Sequence, residues 1–307
     1  MKLAKSKEER LVDLDEIKTQ FDIGRVLGDG NFAVVNACQH RDTGHEYAMK
    51  IIDKSKLRGK EHMIDNEIAI MKACHQENLV KLYEEFETRE EIYLVMEYVK
   101  GGDLFDAIKN SVRFTEPVAS KMSADMTNAL FYLHSRGIVH RDVKPENLMV
   151  MRNKDNSMTL KLGDFEIGYG LEVDMWAVGI ITYILLCGFP PFRATDNKQT
   201  ELFEYIKAGE YEFLSPYWDA VSAEAIDLIR HLLVVDKRSR YTAVEVLCHP
   251  WIITVGGSKE LPDLFPQYQE KYREVIIAQG KANYAEWKEH RGRIFANSNH
   301  NTSLTKL

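Results

Sequence analysis

The stretch 139–150, VHRDVKPENLMV, and the LKLGDF that follows at 160–165 decide how this chain is read. Two acids and an amide, Asp142, Asn147 and Asp164, stand between apolar, strand-like runs: Ile138-Val139, Leu148–Val150 and Leu160–Leu162. Rigid flanks therefore present a small set of oxygen-bearing side chains. Phosphoryl transfer needs such a set, because one carboxylate must orient a hydroxyl while an amide and a second carboxylate hold a divalent metal against phosphates.

The run resembles the catalytic loop and metal-binding acid of protein kinases, H-R-D-L-x-x-x-N followed by D-F-G. His140, Arg141, Asp142 and Asn147 match, with Val143 in the Leu position. Asp164 and Phe165 match as well, but Glu166 stands where the glycine belongs.

Length and composition bound the rest. At 307 residues with 45% apolar content, the chain has enough material for two lobes with sizeable cores. A net charge of −7 argues against a nucleic-acid binder that works through bulk charge. Cys38, Cys74, Cys187 and Cys248 form no C-x-x-C pair and sit mostly in apolar runs, so four buried free thiols are expected. The N-terminal MKLAKSKEERLVDLDE has no apolar signal core, and Met175–Phe189 falls short of the roughly 20 residues of a membrane span. A soluble, reducing, cytoplasmic setting without membrane contact is the expectation.

Residues 1–20 are charged and read as a loosely held extension. From Phe21 the alternation predicts strands over 21–27, 34–40, 45–52, 80–87 and 92–97. One helix interrupts them over 61–74, with Ile64, Ile68 and Met71 on one face. After Lys100-Gly101-Gly102 the period becomes 3.6. A helix opens at Thr115 with Pro117 in its first turn, Met175–Cys187 reads as a buried helix, and further helices fit 199–208, 223–233 and 243–247. The fold class is α+β: a small antiparallel β lobe with one helix (21–99) hinged to a larger helical lobe (100–252), then a tail over 253–307.

Leu27-Gly28-Asp29-Gly30-Asn31-Phe32-Ala33 joins two predicted strands, and glycines at 28 and 30 let backbone N–H groups approach phosphate closely. A dinucleotide fold would need a helix next, whereas Val34–His40 alternates as a strand. Order and spacing carry the specificity. Gly28, Lys50, Glu67, the Glu97-Tyr98-Val99 hinge, Asp142, Asn147, Asp164 and Asp174-x-Trp176-x-x-Gly179 follow one another in protein-kinase order.

That resemblance implies ATP and Mg²⁺ between the lobes. Lys50 would pair with the α- and β-phosphates and with Glu67; Asn147 and Asp164 would hold the metal; Asp142 would orient the acceptor hydroxyl, with Lys144 on the γ-phosphate. Val35, Ala48 and Met149 would sandwich adenine, and Leu27, Met96, Glu97 and Val99 would also belong to the cofactor-binding set. Met71, Leu82, His140 and Phe165 would stack between the lobes. Asp103 and Glu146 resemble acids that hold basic residues upstream of a target serine or threonine.

GDGNFAVV, KSKLRGKEHMIDNE, LVMEYVKGGDLFDAI, YILLCGFPPFR and SPYWDAVS are similar to the doublecortin-like kinases of the calcium/calmodulin-dependent kinase group, over about Phe21 to Trp251. Protein substrates with serine or threonine are implied. Microtubule binding belongs to doublecortin domains and is not carried over. Phe265–Phe295 has helical stretches, but six basic against four acidic residues over 267–293 argue against a calmodulin-target helix.

One departure outweighs the matches. In the family, D-F-G leads into an activation segment that ends at A-P-E, then the Asp-x-Trp helix. Here eight residues, EIGYGLEV, separate Phe165 from Asp174. Nine steps at ~3.3–3.6 Å reach roughly 30 Å, so the chain can close, but the wall that positions an acceptor is not supplied. Arg141 and Arg240 are expected to be stranded, at a cost of ~3–5 kcal/mol for a broken buried pair. Three readings stay open: a serine/threonine kinase, a nucleotide-binding pseudokinase scaffold, and an exon-skipped or mis-assembled form of an active kinase.

Overall fold

A computed structural model describes residues 11–30, 32–57, 59, 61–110, 114–164, 170–193 and 199–254, with backbone alone for 61–63 and 199. Among them the first lobe is a five-stranded antiparallel sheet in the order β1-β2-β3-β5-β4. Its strands are β1 (Phe21–Asp29), β2 (Ala33–His40), β3 (Glu46–Asp53), β4 (Leu82–Glu87) and β5 (Glu91–Glu97). The alternation predicted each of them to within two residues.

This sheet is covered on both faces. Met49, Tyr93 and Val95 point to one side, where they meet Phe21 and Cys38. Ile52, Ile92, Leu94 and Met96 point to the other, where they join Ile68 and Met71 of α2 (Glu61–Ala73) in the main core. The first side needs a lid, and α1 (Leu14–Gln20) supplies it through Ile17, which is fully buried. This corrects the reading of residues 1–20 as a loose extension for the part that is described. A seven-residue helix with Asp15 and Glu16 in its first turn and Lys18 in its last suits the helix dipole, but one buried residue leaves no period to read.

Gly101 and Gly102 turn the chain into the second lobe. A Cβ on Gly101 would lie 1.9 Å from the Val150 carbonyl oxygen, and Gly102, at φ +77°, accepts the Val150 amide at 2.8 Å. The strand-like run after the catalytic stretch is the hairpin of β6 (Leu148–Arg152) and β7 (Met158–Leu162). Around it lie α3 (Leu104–Asn110), α4 (Glu116–His134), α5 (Leu171–Cys187), α6 (Gln199–Ala208), α7 (Ala223–Leu232), α8 (Ala243–Leu247) and α9 (Pro250–Ile253).

α5 is the axis, apolar on nearly all sides and packed between α4 and α7. Gly179 permits that approach: a Cβ there would meet Leu232 Cβ and Leu233 Cδ2, both at 2.8 Å. Thr115 is the N-cap of α4 as expected, yet its side chain makes no capping bond. Instead the buried Glu116 carboxylate accepts from Ser222 N (2.7 Å), Ser222 Oγ (2.7 Å) and Trp251 Nε1 (3.0 Å), tying α4 to the start of α7 and to α9.

Cys38, Cys74 and Cys187 are buried, but Cys248 is exposed, which corrects the expectation of four buried thiols. No described helix is long and apolar enough to cross a membrane. The expected helical stretches of Phe265–Phe295 lie outside the described residues.

Candidate active site

The two lobes bring together side chains far apart in sequence. On β3, Val35 of the neighbouring strand is the cross-strand partner of Lys50, and Ala48 is that of Met96 on β5. Lys50 Nζ donates to Asp164 Oδ1 at 2.7 Å and to Glu67 Oε1 at 3.4 Å. The Lys50 and Glu67 side chains are 16% and 13% exposed, while Asp164 is 57% exposed. Burial alone would lower the Lys50 pKa, but the Asp164 and Glu67 carboxylates outweigh it and the net shift is upward. Asp164 moves the opposite way, held below the carboxylate range chiefly by Lys50.

The loop from His140 to Asn147 forms a second knot. Lys144 Nζ donates to Asp142 Oδ2 at 2.8 Å. Asn147 Nδ2 donates to the Asp142 carbonyl at 2.8 Å and to Asp142 Oδ2 at 2.9 Å, which leaves Asn147 Oδ1 as an oxygen donor. Arg141 (φ 67°) and Asp164 (φ 55°) adopt the left-handed conformation that side chains disfavour, a strain of the kind that gathers at working sites. His140 is fully buried: its Nε2 pairs with Gly163 O at 2.9 Å, and its Nδ1 accepts the Asp142 amide at 3.3 Å.

Sequence order had put Asp174 in line without giving it a task. Its carboxylate, 1% exposed in the first turn of α5, accepts the amides of His140 (2.9 Å) and Arg141 (2.7 Å) and pairs with His134 Nε2 (2.8 Å). An acid at the mouth of an otherwise apolar helix was the available signal.

At the β1–β2 end of the cleft, Gly28 faces open space and the Gly30 amide bonds Ala33 O at 2.9 Å, so the Gly-rich turn is a hairpin tip beside exposed Leu27. Ala48, Met96 and Val99 are buried, and Met149 is partly buried. Asp103 Oδ1 accepts the Asp106 amide at 2.7 Å and so caps α3, a structural duty the sequence reading had not given it. Burial raises the pKa of both Asp103 and Glu146, and each acid repels a carboxylate neighbour. Met71 and Leu82 are buried; Phe165 lies outside the described residues.

The donor set suits magnesium. Among the described residues no cluster of three His, Cys, Asp or Glu could cage a metal. Two hard oxygens, from Asp164 and Asn147, are what a Mg²⁺ ion needs when phosphates and water complete its shell.

Arg240 is not stranded, contrary to expectation. Nε and Nη2 donate to Val234 O (3.0 and 2.7 Å), Nη1 donates to Glu172 O (2.6 Å), and the guanidinium sits 4.7 Å from the Trp176 ring centroid. Arg141 is not without partners either: its backbone amide donates to Asp174 Oδ1 at 2.7 Å. Beside Asp142 and Lys144 opens an apolar groove of about 380 Å³ lined by Trp176, Ile180, Phe192, Leu202 and Ile206, with Val173 and Phe203 exposed at its lip.

Comparison with known proteins fits this geometry. The protein kinase domain model matches residues 21–169 and again 166–252, so its match breaks and overlaps at 166–169. The chain is 54% identical over 267 residues to the mouse serine/threonine-protein kinase DCLK3, covering 78% of this chain and 34% of that protein. Human DCLK3 gives 54% over 266 residues (78% and 41%), and rat DCLK1 gives 50% over 262 (77% and 60%). The chain therefore spans less than two thirds of each of these relatives' lengths. Since 78% of 307 residues is fewer than 267, the mouse relative carries residues inside the match that this chain lacks. With the family model running through both lobes and relatives at half identity or better, the chain belongs to the protein kinase family and is similar to its serine/threonine kinases.

Proposed function

We propose that this chain binds ATP with Mg²⁺ between its lobes and transfers the γ-phosphoryl group to serine or threonine hydroxyls of proteins. The observation that carries the reading is the Lys50 ammonium held between Glu67 and Asp164, because those three come from β3, α2 and the loop after β7 and converge in one cleft. Lys50 neutralises α- and β-phosphate charge, Glu67 fixes its direction, and the absence of a side chain at Gly28 leaves room for phosphate against the hairpin tip. Leu27, Val35, Ala48, Met96 and Met149 enclose adenine, whose edge meets the backbone of Glu97 and Val99. Asn147 and Asp164 hold Mg²⁺, which supplies charge neutralisation at the phosphates. Asp142 orients the acceptor hydroxyl and receives its proton, and Lys144 steadies the transferred group. Asp103 and Glu146 favour acceptors with upstream arginine.

A second reading is a nucleotide-binding scaffold without turnover. The family match that breaks at 166–169 favours it, since the segment that would wall the acceptor against Asp142 is short. Phosphorylation of a serine peptide library, followed by mass spectrometry, separates the two. Turnover that disappears in Asp142→Asn supports the enzyme; nucleotide binding with no turnover supports the scaffold.

A further inference from the structure

Lys161 is a buried lysine that the phosphoryl-transfer reading leaves unused. It sits mid-β7 with its side chain 10% exposed, opposite Met149 across the hairpin. Its Nζ lies 3.0 Å from Glu97 Oε1 and donates to the Glu77 carbonyl at 2.7 Å. One ammonium thus joins three segments: the strand that runs to Asp164, the link between α2 and β4, and the end of β5.

The surrounding bonds make that joint stiff. Leu162 N donates to Asn78 O (2.7 Å), Val80 N to Leu162 O (2.9 Å), and Asn78 Nδ2 to Leu160 O (3.0 Å). Glu97 N in turn donates to Lys81 O at 2.8 Å, and Glu97 Oε2 accepts the Lys81 amide at 3.4 Å. The hinge strand is therefore held to the link by backbone bonds, and Lys161 adds a charged bond from β7 to the Glu97 side chain. An apolar side chain would pack on this face beside Met149 without the cost of desolvating an ammonium. What the charge adds is direction, fixing the Glu97 carboxylate and with it the backbone on which the hinge is built.

We propose that Lys161 is a positioning residue for the adenine end of the nucleotide site, acting through Glu97. The inference rests on the reading that adenine meets the backbone of Glu97 and Val99. Lys161 does not touch the phosphates' partners, so its loss separates the two ends of the ligand. In Lys161→Met, adenosine affinity falls about tenfold, the worth of one charged hydrogen-bonded contact, while Mg-tripolyphosphate affinity stays within about twofold. Lys161→Arg restores adenosine affinity to within about threefold of the parent.

The test is competition of adenosine and of Mg-tripolyphosphate against a fluorescent ATP analogue, on the full chain, for the parent, Lys161→Met, Lys161→Arg, Glu97→Gln and Lys161→Met/Glu97→Gln. If the parent binds no nucleotide, the proposed function falls, and this inference with it. If the parent binds and Lys161→Met keeps adenosine affinity, or loses both probes equally, the positioning role is overturned. Glu97→Gln alone, which keeps the lysine, carries the test should Lys161→Met fail to fold: it too loses adenosine affinity about tenfold while Mg-tripolyphosphate affinity holds, and unchanged adenosine affinity overturns the route through Glu97. Where Lys161→Met folds, the double variant matches either single variant if the lysine acts through Glu97, and an additive loss contradicts that route.

Discussion

The Arg141 amide donates to Asp174 Oδ1 at 2.7 Å, joining the His140–Asn147 loop to the first turn of α5. This bond, with the His140 and His134 contacts to the other oxygen, docks α5 under the loop although only eight residues separate Phe165 from Asp174. Asp174→Asn keeps the shape but turns an amide group toward backbone donors. Because the site is buried, we expect a loss of about 3 kcal/mol, read as a lower urea midpoint with unchanged slope. A midpoint equal to the parent's would contradict this account of the docking.

Arg240 braces the first turn of α5 against the segment that follows α7. Its fork holds Val234 O and Glu172 O while its face lies on Trp176. Lysine cannot span these acceptors, so Arg240→Lys is expected to cost about 2 kcal/mol in urea denaturation despite the conserved charge. Equal stability of the two proteins would mean that the fork contributes nothing.

Two glycines are held by steric contact. At Gly101 the added Cβ would meet a backbone oxygen, which cannot rotate away, and at Gly179 it would meet Leu232 Cβ and Leu233. Gly179→Ala should cost about 1–3 kcal/mol by overpacking α5 against α7, and Gly101→Ala should cost more. Melting curves of the two variants rank them, and the reverse order would refute the close-approach reading of the hinge.

Burial pulls the His140 imidazole below its ordinary pKa, opposed by Asp174. Nδ1 accepts the Asp142 amide, so the buried ring is neutral with its proton on Nε2 toward Gly163 O. A depressed folded-state pKa means that the unfolded chain takes up the proton first. This contribution is therefore intact above about pH 6.5 and is lost as pH falls from there through the folded value. Unfolding free energy measured from pH 8 to 5 should decline on the acid side, and His140→Tyr should flatten that decline. An equal slope in both proteins would rule His140 out as its source.

Much of this was legible in sequence because kinase chemistry forces rare residue types into a fixed order. Lys50 meets Glu67, and Asp142, Lys144 and Asn147 cluster, as the resemblance implied, with Asp164 beside Lys50. What escaped depends on contacts that no local pattern encodes. Ile17 is one buried residue in a charged helix, and Lys161 on a strand reads as a surface lysine until its two acceptors are seen. The partners of Arg240 are backbone carbonyls, which every sequence has and none advertises. Asp103 was assigned from resemblance to substrate, whereas one of its oxygens caps α3.

The most direct test is titration calorimetry of the purified chain with ATP, with and without Mg²⁺, beside Lys50→Met and Asp164→Ala. Metal-dependent binding by the parent, weakened at least about tenfold in each variant, is the predicted result. A parent chain that takes up no ATP with Mg²⁺ present, or variants that bind as it does, would contradict the convergence of these residues on one nucleotide.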